Sequence, residues 1–159
     1  MNYYIKQKVF SWSDTFFVYD QAGNEVYRVK GEAFSFGKKL HVYDMNGSEI
    51  AYINQKIFSF KPRFLVEIGG RLAAEVVKQI TFFRPSYHII GPDWSVNGDW
   101  FAHEYEISNG LLPIATISKQ WFTFGDAYEI SIGVGVDEIL ALCVALTVDA
   151  CIEMDDNAR

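Results

Sequence analysis

The sequence has few of the residues from which metal and catalytic sites are usually built. It contains two cysteines and three histidines, and His41, His88 and His103 are not spaced as metal ligands are. It has no Gly-x-Ser-x-Gly elbow, phosphate-binding loop or Cys-His motif. We therefore expect no metal site and no cofactor. An enzyme of this sequence would need an active site assembled from residues scattered over several strands.

Long apolar runs are also missing. The longest, Ile139–Val148, is interrupted by Thr147 and is much shorter than the roughly 20 residues that cross a bilayer. Residues 1–6 lack the basic and apolar stretches of a signal peptide. Cys143 and Cys151 would lie about 12 Å apart on one helix, which is too far for a disulfide. These features predict a cytoplasmic protein with reduced cysteines and no transmembrane segment.

The residues that are abundant indicate a β-rich domain. Hydrophobic residues make up 50% of the 159 positions and charged residues 21%, which excludes a disordered chain and suits a single domain, residues 1–159. The thirteen Phe, nine Tyr and four Trp are typical of sheets, because aromatic side chains pack well on a pleated surface.

A short motif recurs about every 24 residues, which indicates an internal repeat. Its clearest copies are Ala33-Phe34-Ser35-Phe36 and Ile57-Phe58-Ser59-Phe60, and Val9-Phe10-Ser11-Trp12 and Trp121-Phe122-Thr123-Phe124 resemble them. Each copy ends a long strand, and its alternation predicts aromatic side chains on one face, packed in a barrel. About twelve strands follow, at residues 3–12, 15–20, 25–36, 39–44, 49–60, 63–69, 71–83, 86–91, 93–96, 99–108, 113–124 and 127–132.

The pattern changes after residue 132. Residues 133–136 are a predicted connector, Asp137 is a predicted N-cap, and residues 137–152 form a helix that is apolar on every side. A short acidic tail, 153–159, follows. A helix without a polar face must be enclosed, and a barrel of about eleven or twelve strands can enclose one. The sequence therefore predicts a mainly β fold, an antiparallel barrel of about twelve strands (3–132) closed around a central buried C-terminal helix.

The repeat, the Phe-Ser-Phe strands and the terminal helix Val136–Ile152 together resemble the LURP-one-related family of the tubby C-terminal-like superfamily. The resemblance covers essentially the whole chain and implies a twelve-stranded barrel wrapped around a central helix. Tubby domains bind phosphoinositides, and phospholipid scramblases are placed in the same superfamily, so the resemblance makes phospholipid binding an expectation. It implies no site residue, because no ligand-binding residue of tubby aligns with a residue here.

Two segments imitate ligand-binding loops. Residues 93–104 nearly spell a calcium-binding EF-hand loop, but Gly-Pro precedes them and a strand follows, so we interpret them as a hairpin turning at Asn97-Gly98. Residues 133–138 imitate a dinucleotide-binding loop, but Glu138 replaces its third glycine. His103 and Glu104 are neighbours in a predicted strand and would point to opposite faces, which excludes them as a catalytic pair.

Charge is unevenly distributed along the chain. Residues 1–90 carry 12 basic and 8 acidic side chains, and residues 91–159 carry 2 and 12. Alternate turns of an up-and-down barrel share one end. Five basic residues are thereby predicted on one sector of a rim: Lys38, Lys39, Lys61, Arg63 and Arg84. Because lysine and arginine bind phosphate groups, we predict a ligand-binding site there.

These inferences favour a non-catalytic binding module for an anionic ligand or partner, whether a phosphorylated headgroup, an acidic membrane surface or an acidic protein. A pI near 5.0 argues against nucleic acid. The alternative is an enzyme with a scattered site, for which a deep polar pocket with converging titratable groups would be evidence. A simpler explanation of the rim is that charged turns are common on any solvated surface.

Overall fold

The computed structural model describes residues 1–6, 15–32, 35–79, 86–99, 104–122 and 125–157. In these ranges consecutive strands pair antiparallel, and β1 also pairs with β12, which closes the barrel. The predicted barrel of twelve strands with one C-terminal helix is thus confirmed. Its elements are β1 Asn2–Ile5, β2 Thr15–Tyr19, β3 Glu25–Gly31, β4 Lys39–Asp44, β5 Glu49–Gln55, β6 Arg63–Ile68, β7 Arg71–Gln79, β8 Ser86–Ile90, β9 Trp94–Asp99, β10 Glu104–Asn109, β11 Leu112–Phe122, β12 Gly125–Ile132 and α1 Glu138–Asn157.

Each strand presents alternate side chains to the inside of the barrel. In β4, for example, Leu40 and Val42 are fully buried, whereas Lys39 and His41 are partly exposed. This alternation follows from the two-residue period of a strand, so the inner face is apolar and the outer face carries the charged groups.

Three hairpins share one irregularity. The pairing of β2 with β3, of β4 with β5 and of β6 with β7 shifts register after Val18, Val42 and Val66, which are 24 positions apart. Each shift is a β-bulge, which reverses the side-chain alternation of the bulged strand. In β5 the bulge pairs Glu49 with Tyr43, and the Glu49 side chain therefore lies on the outer wall.

The helix α1 fills the barrel. Asp137 caps it as predicted, since its Oδ1 accepts a hydrogen bond from Leu140 N at 3.1 Å. Leu142 and Leu146 are among its completely buried side chains. Burying an apolar side chain of this size stabilises the fold by about 1.5–3 kcal/mol. No helix in the described part of the chain is long and apolar enough to cross a membrane.

The helix is longer than predicted. It continues to Asn157 rather than ending at residue 152, and so includes most of the segment expected as an acidic tail. An ion pair between Asp155 and Lys78 of β7 joins this last part to the barrel. At the other end of α1, Tyr3 Oη donates a hydrogen bond to Glu138 Oε2 at 3.0 Å.

The predicted turn at Asn97-Gly98 is wrong. Both residues lie within β9, and Gly98 pairs with Tyr105 of β10. A Cβ on Gly98 would lie 2.4 Å from the Tyr105 Cα, so the close approach of the two strands requires glycine. The strand also spreads the EF-hand-like residues apart. Asp93 and Asp99 are separated by about 20 Å of extended chain, too far to hold one calcium ion.

Candidate functional site

Backbone hydrogen bonds tie the turns at one end of the barrel together. Gln55 N donates to Lys38 O at 2.8 Å, Lys56 N to Arg63 O at 2.9 Å, and Lys78 N to Pro62 O at 3.0 Å. These bonds link β4, β5, β6 and β7 in turn, so the turns form one continuous surface. We call it the β3–β7 rim and define it as residues 35–39, 56–63 and 78–79.

The rim contains four of the five basic residues that the sequence singled out. Lys38 and Lys61 lie in its turns, and Lys39 and Arg63 are the first residues of β4 and β6. Arg84 lies outside the described residues. The predicted sector is therefore contiguous for the four residues that can be placed.

Two of these four side chains already have carboxylate partners on neighbouring strands. Arg63 Nη1 lies 2.7 Å from Glu75 Oε2, and Lys39 Nζ lies 3.8 Å from Glu32 Oε2. Each pair stands on the outer wall just below the turns. Their charges are partly neutralised before any ligand arrives, because an ion pair reduces the field of both members.

Lys38, Lys56 and Lys61 carry the rim's available positive charge, and Lys56 is exposed in the turn after β5. Lys61 Nζ donates to the neutral amide Oε1 of Gln79 at 2.9 Å, and Lys38 is exposed. Among the described residues, none of these three lysines lies in an ion pair with a carboxylate. An external anion would meet these three ammonium groups first.

The rim also presents phenylalanine side chains to solvent. Phe36 is 76% and Phe58 94% exposed, and Phe60 is fully exposed. The prediction that these aromatic residues pack in the barrel is wrong, because β3 ends at Gly31 and β5 at Gln55, before the motif. The side chains of the copies at residues 9–12 and 121–124 lie outside the described residues.

The two phenylalanine-bearing turns are neighbours. Gly37 follows Phe36 with φ +82°, a conformation that favours glycine. A Cβ on Gly37 would lie 3.2 Å from Ile57 Cγ1, so the turns pack tightly at this point. Phe36, Phe58 and Phe60 are therefore exposed on two neighbouring turns of the rim, beside Lys38 and Lys61.

Lys78 is a further cation at the rim that the sequence reasoning did not place there. It lies on the inner face of β7, in line with the buried Ala74 and Val76, and pairs with Asp155 at the end of α1. The strand period was a usable signal for its inward orientation. The partner on the helix could not be inferred from spacing, since 77 positions separate the two residues.

The outer wall carries a second cluster, around His41. Its Nε2 lies 2.7 Å from Glu32 Oε1 and its Nδ1 lies 2.9 Å from Glu49 Oε1. A groove of about 460 Å³, lined in part by His41, Glu49, Tyr52 and Glu67, lies beside it.

This cluster does not support catalysis by His41. Both ring nitrogens are engaged by carboxylates, so neither is available to accept a proton from a substrate. No group of three or more His, Cys, Asp or Glu side chains in the described ranges could hold a metal ion. The cluster is a set of ion pairs that joins the end of β3 to β4 and β5.

Comparison with known proteins identifies the family. Residues 1–149 match the model of the LURP-one-related family. The chain belongs to the LURP-one-related family. A relative, "Uncharacterized protein YxjI" of Bacillus subtilis (strain 168), is 33% identical over 154 residues, which are 97% of this chain and 95% of that protein. The X-ray structure of an Arabidopsis thaliana protein has a TM-score of 0.66 at 18% identity and covers 99% of this chain and 91% of its own. That likeness shows the shared fold.

Proposed function

We propose that this protein is a non-catalytic binding module that docks on an anionic membrane surface through the β3–β7 rim. The observation that carries the proposal is the turn between β5 and β6, where the exposed Phe58 and Phe60 lie between Lys56 and Lys61. The proposal places the protein in the cytoplasm, where the membrane leaflet carries anionic lipids.

Aromatic and basic side chains act together at a membrane. A phenylalanine that leaves water contributes up to about 1.5–3 kcal/mol, and a lysine near an anionic leaflet contributes about 1 kcal/mol. Phe36, Phe58, Phe60, Lys38 and Lys61 could therefore give reversible, salt-sensitive binding. A bilayer accommodates separate projecting side chains without a matching pocket, whereas an acidic protein would need a pocket for each ring.

The proposal predicts that both side-chain types are needed. Co-sedimentation would compare vesicles of phosphatidylcholine alone with vesicles that also contain phosphatidylserine or a phosphoinositide, at low and high salt. We expect the wild type to bind acidic vesicles at low salt and to release at high salt. Phe58→Ser/Phe60→Ser should lose at least about tenfold in affinity, and Lys38→Glu/Lys61→Glu should not bind.

Matched controls lie at the opposite end of the barrel. Leu111 and Val134 are fully exposed there, and Arg71 is exposed at the start of β7. Leu111→Ser/Val134→Ser and Arg71→Glu should bind as the wild type does. A wild type that ignores every acidic vesicle at low salt would refute membrane docking and leave an acidic protein as the partner. Equal binding by the phenylalanine variant would show that charge alone is responsible.

A further inference from the structure

The acidic end of α1 emerges at the β3–β7 rim. The helix begins beside Tyr3 at the opposite end of the barrel and ends where Asp155 pairs with Lys78. The Lys78 backbone N donates a hydrogen bond to Pro62 O at 3.0 Å, which places Lys78 in the rim next to Lys61. An anionic group of the protein itself therefore lies against the surface that is proposed to receive an external anion.

The negative side-chain charges at this end of the helix are unfavourable for helix stability. The last turn of α1 has no basic residue, and Glu153 and Asp155 lie near the helix C-terminus. Carbonyl groups give a helix C-terminus partial negative charge, which repels carboxylates. Asp155 makes a favourable contact with Lys78 instead. The side chain of Lys78 is 20% exposed and the side chain of Asp155 is 31% exposed. Both groups can therefore be reached from solvent.

We propose that the acidic end of α1 is an internal competitor for the anion-binding rim, with Asp155 occupying Lys78 until an anionic surface displaces it. This inference rests on the membrane docking proposed above and concerns its regulation. Breaking the Asp155–Lys78 ion pair costs free energy, which opposes binding. A weakly charged surface therefore leaves the ion pair intact, whereas a densely charged surface breaks it. The contact sets a threshold of surface charge for docking.

Two substitutions break the same ion pair, but only one of them is expected to tighten binding. Asp155→Asn frees the Lys78 ammonium and should tighten binding to phosphatidylserine vesicles about fivefold, the effect of one lysine near an anionic surface. Lys78→Gln removes the ammonium and should not tighten binding. Glu106→Gln, at an exposed position on the outer wall of β10, makes the same change in net charge and should bind as the wild type does.

The outcomes separate competition from a purely structural contact. If Asp155→Asn and Lys78→Gln both bind as the wild type does, the pair only fastens α1 and the inference is overturned. If Glu106→Gln tightens binding as much as Asp155→Asn, net charge explains the effect and the inference is also overturned. If neither the wild type nor Asp155→Asn binds any acidic vesicle, the proposed function itself fails. Melting temperatures of the variants would show that the differences in affinity do not arise from unfolding.

Discussion

His41 lies between two carboxylates on the outer wall. Partial burial by itself lowers the pKa of His41, but hydrogen bonds with Glu49 and Glu32 outweigh this effect and raise the pKa. The bond to His41 in turn lowers the pKa of Glu32. The imidazole also stacks on Tyr52, with ring centroids 4.8 Å apart. The bulge that turns Glu49 outward thus creates a charged bridge across three strands.

This bridge predicts a pH-dependent stability. Because the pKa of His41 is higher in the folded state, its contribution is complete below about pH 6.5 and is lost as the pH rises through the raised value. Because the pKa of Glu32 is lower in the folded state, its contribution is lost as the pH falls below about 4.3. The free energy of unfolding of the wild type should therefore exceed that of His41→Gln more near pH 5.5 than near pH 8. Urea unfolding measures both values, and an equal difference at the two pH values would contradict the prediction.

At the scale of the elements, the helix was easier to predict than the strand ends. Residues 139–152 are apolar on every side except for Thr147 and Asp149, which are also buried, and only an enclosed helix tolerates that pattern. Strand length is different, because a strand ends where its partner ends. β4 begins at Lys39, which pairs with Asn54 of β5. Beyond Asn54, β5 has almost no partner residues on β4, although the alternation of apolar and polar residues in the sequence continues to Phe60. The two-residue period tells which face a residue would occupy, not whether a partner strand is present.

The enclosed helix makes a large stability loss predictable. Leu146 is completely buried, so Leu146→Ala should lower the free energy of unfolding by about 2–5 kcal/mol. Leu146→Asp should not fold, since it places an uncompensated charge in an apolar interior. Val134→Ala, at a fully exposed position of the connector, should change stability by less than about 0.5 kcal/mol. Urea unfolding checks all three, and a native-like Leu146→Asp protein would contradict the enclosed position of the helix.

At the scale of the whole molecule, the two cysteines report on opening of the barrel. Cys143 and Cys151 are free and buried, and burial raises the pKa of the Cys143 thiol to about 12. The pKa of Cys151 is raised for the same reason. Neither thiol should react with an alkylating reagent until the barrel opens. Leu146→Ala should accelerate labelling by about the factor by which it raises the equilibrium constant for unfolding. Labelling at a rate independent of stability would show a local opening instead.

The architecture of the molecule followed from sequence, and its rim followed only in part. The repeat and the apolar helix determine a closed barrel with a filled interior, and they placed Lys38, Lys39, Lys61 and Arg63 at one end. The sequence did not show that Arg63 faces Glu75 or that Asp155 reaches Lys78. Such pairs depend on register and on the length of α1, which are properties of the assembled barrel rather than of any one segment.

The position of α1 in the chain has a consequence for biosynthesis. All twelve strands leave the ribosome before the helix that fills them, and β1 cannot pair with β12 until the chain has been translated to residue 132. Translation proceeds at about 5–20 residues per second, so the nascent chain exposes apolar strand faces and an open sheet edge for several seconds. Exposed edges and apolar faces recruit other chains. This topology therefore leaves the apolar strand faces uncovered until the helix that fills the barrel has been released.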